Sequence, residues 1–429
     1  MRIVALTSKL EEKLLAARHR RDARAEAVSS RIVGDVRRRG DAALFAWTRR
    51  LDEIRLTPKT LWVTASERRA AARAVPKELR SALEHAARNI RRVAEEQLPR
   101  SWSIAVEPGV RVGQRVSAID TIGCYIPGGR FSLVSTLLMT AIPAQVAGVR
   151  RILVACPRSN AALLAAAEML GLQEIAHIGG AQAIAALAYG TRSVPRVDKI
   201  FGPGNRFVTA AKRLVSADCA IDLLAGPTEL LIVVVNGVTN GVTSGAASGN
   251  ASYIAADLLA QAEHDPDAVA LLVTTSRKLA TAVRDALAEQ LSRLPDTNPA
   301  KRSLAEKGAI ILAPDSRAAV RFANRFAPEH LSIPGAQANL AHKLAAAGSV
   351  FLGPWSAQSI GDYASGTNHV LPTSGGARTR GGLSTADFVR CTSVQQISAA
   401  GLRSLRPVVT ALADAEGLLA HRRAVEVRQ

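Results

Sequence analysis

Four of the eight histidines in this 429-residue chain sit beside carboxylates, amides or glycines. They are His264 in Gln261-Ala262-Glu263-His264-Asp265, His330 in Pro328-Glu329-His330-Leu331, His369 after Gly361-Asp362-Tyr363 and Asn368, and His421 after Glu416. The others, His19, His85, His177 and His342, lie in ordinary helix-like or strand-like sequence and read as structural. Gln261 and His264 are three apart on a predicted helix, so both side chains project from one side and could reach one metal ion. With Asp362 and His421 they would offer two imidazole nitrogens and two oxygens, a mixed set that suits zinc. An ordinary polar helix surface has the same spacing, and the spacing does not choose between them. Glu329 and His330 are adjacent, so they point in different directions and could serve two steps around one substrate. An imidazole with an ordinary pKa of about 6.5 can take a proton from an alcohol near neutrality, and a neighbouring carboxylate can activate water. A turn with exposed polar residues is the alternative.

Such groups need elements to hold them. Residues 8–51 and 76–97 carry apolar positions at three-to-four spacing and predict amphipathic helices. Residues 110–126 alternate in β-branched side chains and predict a strand running into the turn at Gly128-Gly129. Short apolar strands at 152–155, 175–178 and 199–201 then alternate with helices near 161–170, from Gln182 and after Asn205. A second series begins at 230–235 and continues through strands at 269–273 and 309–312. This alternation predicts βαβ units in mainly parallel sheets. The clusters Gly128-Gly129, Gly179-Gly180 and Gly202-Pro203-Gly204 each follow a predicted strand and could bring backbone N–H groups to a phosphate. None completes G-x-G-x-x-G with an acidic residue about twenty positions on. Asn236 to Ser252, where Asn-Gly-Val-Thr repeats, predicts a flexible loop before a helix starting near Tyr253.

At roughly 150 residues per domain the length predicts two or three packed units. A hydrophobic share of 48% with 21% charged residues excludes a disordered chain. Lys and Arg number 55 against 36 Asp and Glu, a net charge of +19 that raises the question of a nucleic-acid or anionic membrane partner. The basic residues form scattered short arginine runs, and aromatics at 4% leave little for base stacking, so a nucleic-acid partner is not expected. The four cysteines are widely spaced without a C-x-x-C pair and read as reduced thiols. The first residues lack a signal-peptide pattern, and no apolar run approaches the roughly 18 residues of a membrane span. A cytoplasmic protein without a membrane partner is expected.

Taken together, the motifs at residues 123–129 (GCYIPGG), 179–187 (GGAQAIAAL), 199–205 (KIFGPGN), 225–231 (AGPTELL), 257–265 (DLLAQAEHD), 327–331 (APEHL), 361–373 (GDYASGTNHVLPT) and 416–428 (EGLLAHRRAVEVR) resemble, in order and spacing, the histidinol dehydrogenase family. The likeness runs from the N-terminal helices almost to Gln429. It implies a zinc- and NAD-dependent oxidation of L-histidinol through L-histidinal to L-histidine with two NAD, the last step of histidine biosynthesis. By matching motifs, Gln261, His264, Asp362 and His421 correspond to the ligands of one Zn2+ per subunit. His330 corresponds to the general base and Glu329 to the activator of water. Thr228, Gln261, His264, His330, Asp362, His369, Glu416 and His421 correspond to substrate-binding positions, and Tyr125, Gln182 and Asn205 to NAD contacts. The implied fold is α/β with two Rossmann-like parallel-sheet units lacking a full dinucleotide fingerprint. The implied domains are an N-terminal helical arm at 1–22, a first Rossmann-like domain at 23–124 and 228–383, a second at 125–227, and a small C-terminal domain at 384–429. That last domain is expected to complete the active site of the other subunit of a homodimer, carrying Glu416 and His421 across. A dehydrogenase of the same superfamily acting on another polar alcohol, such as a sulfonated propanediol, is the nearest rival.

Overall fold

The computed structural model describes residues 1–18, 22–128, 133–235, 251–335 and 338–428. Nearly all of the loop expected at 236–252 falls outside them; its last two residues open the helix Ala251–Glu263. The chain starts with strand β1 (Arg2–Ala5) and the helix Ser8–Arg18, passes through further helices, and enters β2 (Trp102–Glu107), β3 (Val110–Ala118) and β4 (Thr121–Tyr125). Next come β5 (Arg151–Ala155), β6 (Glu174–Ala176), β7 (Lys199–Phe201) and β8 (Ala220–Ile221), then β9 (Glu229–Val234), β10 (Val269–Thr274) and β11 (Ala309–Leu312). The last strands are β12 (His330–Ile333), β13 (Ser349–Leu352) and β14 (Val389–Ile397).

Two parallel sheets result, with helices between their strands. One has six strands in the order β1-β11-β10-β9-β12-β13. The other has five, in the order β6-β5-β4-β7-β8. Both faces of the larger sheet are covered, which is why β9 reads as an unbroken apolar run. Leu231 and Val233 pack with Leu271, Val273, Ile311, Phe322 and Leu331 on one side. Leu230 and Ile232 pack with Ile254, Leu258, Leu272 and Ile310 on the other. Successive side chains of a strand point to opposite faces, so one six-residue strand seeds two cores.

Two expectations need correction. Residues 110–126 are two strands in different sheets rather than one: β3 pairs antiparallel with β2 and β14, and β4 sits in the middle of the five-stranded parallel sheet. Both halves are rich in β-branched residues, so composition hides the break near Asp120. Residues 2–5, expected within a helical arm, form an edge strand paired in parallel with Ala309–Leu312. Ile3 joins one core and Val4 the other, which gives this short strand its place. Among the described residues no helix is long and apolar enough to cross a membrane.

Candidate active site

Strands β9 and β12 are neighbours in register, with His330 opposite Leu230. Their amino ends therefore lie side by side, and the residues entering them meet: Thr228 and Glu229 on one strand, Glu329 and His330 on the other. Glu329 is buried, and its Oε2 accepts hydrogen bonds from Thr228 Oγ1 at 2.6 Å and from the Glu229 backbone N–H at 2.8 Å. His330 is buried beside it and donates from Nδ1 to the Glu229 carbonyl oxygen at 3.0 Å. A carbonyl can only accept, so this bond assigns the Nδ1–H tautomer to the neutral ring and leaves Nε2 with its lone pair. Nε2 lies 4.0 Å from Asp362 Oδ1. An imidazole held this way, with its free nitrogen beside a carboxylate, can accept a proton from a bound alcohol.

The helix Ala251–Glu263 returns the chain from the carboxyl end of β9 toward its start and brings Gln261 there. Gln261 has no exposed surface; its Nε2 donates to Thr228 Oγ1 at 2.7 Å, and its Oε1 has no hydrogen-bond partner. The bonds form a chain: the amide fixes the Thr228 hydroxyl, which in turn donates to Glu329. His264 is the first residue beyond the helix, so the expected helical pairing with Gln261 becomes a pairing across the helix end. It is close enough to act electrostatically on His330, Asp362 and His369. Asp362 belongs to the helix Gln358–Tyr363, which follows β13. His369 donates from Nδ1 to the Asp362 carbonyl oxygen at 3.1 Å, and its Nε2 then accepts from the Thr136 hydroxyl at 3.3 Å. Since Thr136 lies in the helix Val134–Ala147 that follows β4, His369 ties the two parallel-sheet units together at the site.

Burial dominates the electrostatics here. It raises the Glu329 carboxyl to about 8 against the pull of its two hydrogen-bond donors. It lowers His330, which the neighbouring Asp362 partly offsets, and it lowers His369 to about 4. Asp362 is raised by burial, opposed by the His330 and His264 imidazoles. The His330 and His369 imidazoles are thus held neutral, as a base requires.

The Gln261 amide oxygen is the sharpest indication of a metal. A buried carbonyl oxygen without a protein partner carries a cost of about 1–3 kcal/mol unless another group satisfies it. The Asp362 carboxylate and the His264 imidazole, which act on one another electrostatically, are oxygen and nitrogen donors of the kind zinc accepts. The donor types of Gln261, His264 and Asp362 fit the metal. Among the described residues no group of three or more His, Cys, Asp and Glu side chains could hold a metal within one chain. His421 is exposed on the helix Leu419–Glu426, which packs on the helix Ala399–Ala415, and Glu416 is exposed at the bend between them. That bend is made by Gly417 at φ +70°, which separates the two helices.

The residues expected at NAD lie at the carboxyl ends of the five-stranded sheet, where open parallel sheets bind ligands. Tyr125 ends β4, and its hydroxyl accepts the Gly180 N–H at 3.2 Å. Gln182 is buried in the helix Gly180–Tyr189 after β6; its Nε2 donates to Asp52 Oδ2 at 2.9 Å, and its Oε1 has no partner. Asn205 follows β7 and caps the helix Arg206–Val215, accepting from the Phe207 and Val208 N–H groups at 3.0 and 3.1 Å. Sequence reasoning did not single out Glu229, Thr136 or Asp52. For Glu229 a signal existed: an acidic residue opening a fully apolar strand is costly to bury unless its charge is paired.

The family model described as histidinol dehydrogenase matches residues 15–429. The histidinol dehydrogenase of Methanothermobacter thermautotrophicus is 45% identical over 396 residues, covering 91% of this chain and 90% of the relative. That of Rhizobium meliloti is 44% identical over 407 residues, covering 94% and 91%. The crystal structure of histidinol dehydrogenase from Elizabethkingia anophelis superposes with a TM-score of 0.91 at 35% identity, covering 100% of this chain and 97% of that one.

Proposed function

Since the chain belongs to the histidinol dehydrogenase family, we propose that it oxidises L-histidinol through L-histidinal to L-histidine with two NAD, completing histidine biosynthesis in the cytoplasm. The observation that carries this reading is the junction of β9 and β12, where His330 keeps Nε2 free and Glu329 sits beside it under two donors. His330 removes the hydroxyl proton from the bound alcohol. NAD, when bound, would supply the hydride acceptor for both oxidations. Glu329, held by Thr228 and Glu229, takes a proton when ionised from the water that adds to the aldehyde, and His330, having passed its first proton to solvent, then deprotonates the resulting hydrate.

Zinc, when bound, would supply a template that orients the substrate. Gln261, His264 and Asp362 would hold it, with His421 of the partner subunit as the fourth ligand. His369 and Thr228 border the substrate, and Glu416 of the partner subunit offsets the substrate ammonium. Tyr125, Gln182 and Asn205 border NAD. We assign residues 23–124 and 228–383 to the first Rossmann-like domain, 125–227 to the second, 1–22 to the arm and 384–429 to the small C-terminal domain. A homodimer is supported by the exposure of that last domain: Leu412, Leu419 and Val427 stand more than half exposed, at 61%, 74% and 56%. Apolar residues this open on one small unit indicate a covering partner.

The test is NADH formation by the purified, zinc-loaded protein with L-histidinol against other polar alcohols. Turnover with L-histidinol, lost on chelation and restored by zinc, is expected. Turnover confined to another alcohol would instead favour the rival dehydrogenase.

A further inference from the structure

Two main-chain atoms of Glu229 hold both residues assigned to proton transfer: its N–H donates to Glu329 and its carbonyl accepts from His330. The position of Glu229 therefore fixes their relative geometry. Its own side chain is 1% exposed and grips Arg18. Arg18 Nε donates to Glu229 Oε1 at 2.6 Å, and Arg18 Nη2 pairs with Glu229 Oε2. The Ser374 N–H adds a bond to Oε1 at 3.3 Å.

The same guanidinium reaches the other side of the pair. Arg18 donates from Nη1 to the Phe326 carbonyl and from Nη2 to the Ala327 carbonyl at 3.3 Å, and it stacks 3.8 Å above the Phe326 ring. Ala327 has φ +46°, a left-handed conformation that a non-glycine residue adopts at a cost, and it ends the helix Ser316–Phe326 two residues before Glu329. One side chain thus pins both approaches to the site, the head of β9 and the turn into β12. Its contacts are 211 and 308 residues away in sequence.

Stability alone is a poor reason for such an ion pair. Desolvation cancels most of the Coulomb gain of a buried pair, and apolar replacements of similar volume are often neutral or better. A planar fork that binds a carboxylate on two sides while donating to two carbonyls gives geometry instead. We infer that Arg18 and Glu229 are positioning residues for the reaction: through the Glu229 main chain and the Phe326–Ala327 turn they set the His330 tautomer and the Glu329 carboxylate against the substrate. The inference rests on the assignment of His330 and Glu329 given above.

The test uses the full-length, zinc-loaded protein with Arg18→Ala and Arg18→Lys. Misplacement by about 1 Å costs on the order of 10²-fold in rate, so kcat for L-histidinol should fall by about that factor in Arg18→Ala. KM for NAD and zinc content should stay near the parent values. Arg18→Lys keeps the charge without the fork and should recover only part of the rate, whereas added ethylguanidine should restore much of it to Arg18→Ala. The ring-nitrogen NMR shifts of His330 should report one tautomer in the parent and a mixture in the variants. An unchanged kcat, or a loss matched by an equal loss of folded, zinc-loaded protein without rescue, would overturn the inference. Failure of the parent to oxidise L-histidinol is a different result: it removes the functional reading, and the tautomer shifts then decide the positioning role alone.

Discussion

Glu329 is the residue whose surroundings pull hardest in opposite directions. Burial pushes its carboxyl from 4.5 to about 8, while Thr228 and Glu229 donate to it. Below pH 4.5 the group is neutral in both the folded and the unfolded chain, and its contribution to stability is complete. As the pH rises toward 8 only the folded chain keeps the proton, so that contribution is progressively lost. Glu329→Gln removes the titration. Thermal unfolding of the zinc-free protein against pH should show the variant gaining on the parent between 4.5 and 8, and parallel curves would contradict the assignment. In turnover the same variant should slow oxidation of L-histidinal by about 10²-fold, and that of L-histidinol less, because only the aldehyde must be hydrated. That Glu329 and His330 stand together was legible in one short motif, but their burial was not, since a turn with exposed polar residues fits the same motif. Arg18 was not: an ion pair spanning 211 residues leaves no periodicity or spacing to read.

The elements divide in the same way. β9, β10 and β11 were legible because strands covered on both faces must be continuously apolar. The antiparallel trio β2, β3 and β14 was not, since β2 and β14 are largely exposed and the pairing of β3 with β14 joins residues far apart in the chain. Nor could sequence show which strand ends would face the chemistry. The five-stranded sheet presents its carboxyl ends, with Tyr125, Gln182 and Asn205, as open parallel sheets do. The six-stranded sheet presents its amino ends, with Thr228, Glu229, Glu329 and His330. Gly202 makes the first arrangement possible: it has φ +112°, and a Cβ there would lie 2.0 Å from the Tyr125 carbonyl oxygen. Gly202→Ala should therefore displace the turn after β7 from Tyr125, costing at least about 1–3 kcal/mol in backbone strain. Lower thermal stability and a KM for NAD raised more than that for L-histidinol are expected; unchanged values of both would detach this turn from the cofactor site.

For the molecule as a whole, the +19 charge favours anionic NAD over a cationic amino alcohol, so under the proposed function a local carboxylate such as Glu416 would set substrate preference against the overall field. Glu416 and His421 are exposed, as the proposed sharing of the site between two subunits requires. Mixing inactive His330→Ala protein with inactive His421→Ala protein tests this. Random exchange makes half the dimers mixed, and each mixed dimer rebuilds one complete site of two, so about one quarter of the parent activity should return. No recovery after verified exchange would place His421 outside a shared site. The account as a whole turns on a four-electron oxidation at a single site, and its most direct measure is the end point with limiting L-histidinol and excess NAD. Two NADH and one L-histidine per L-histidinol are expected; one NADH with free aldehyde as the product, or no NADH at all, would contradict it.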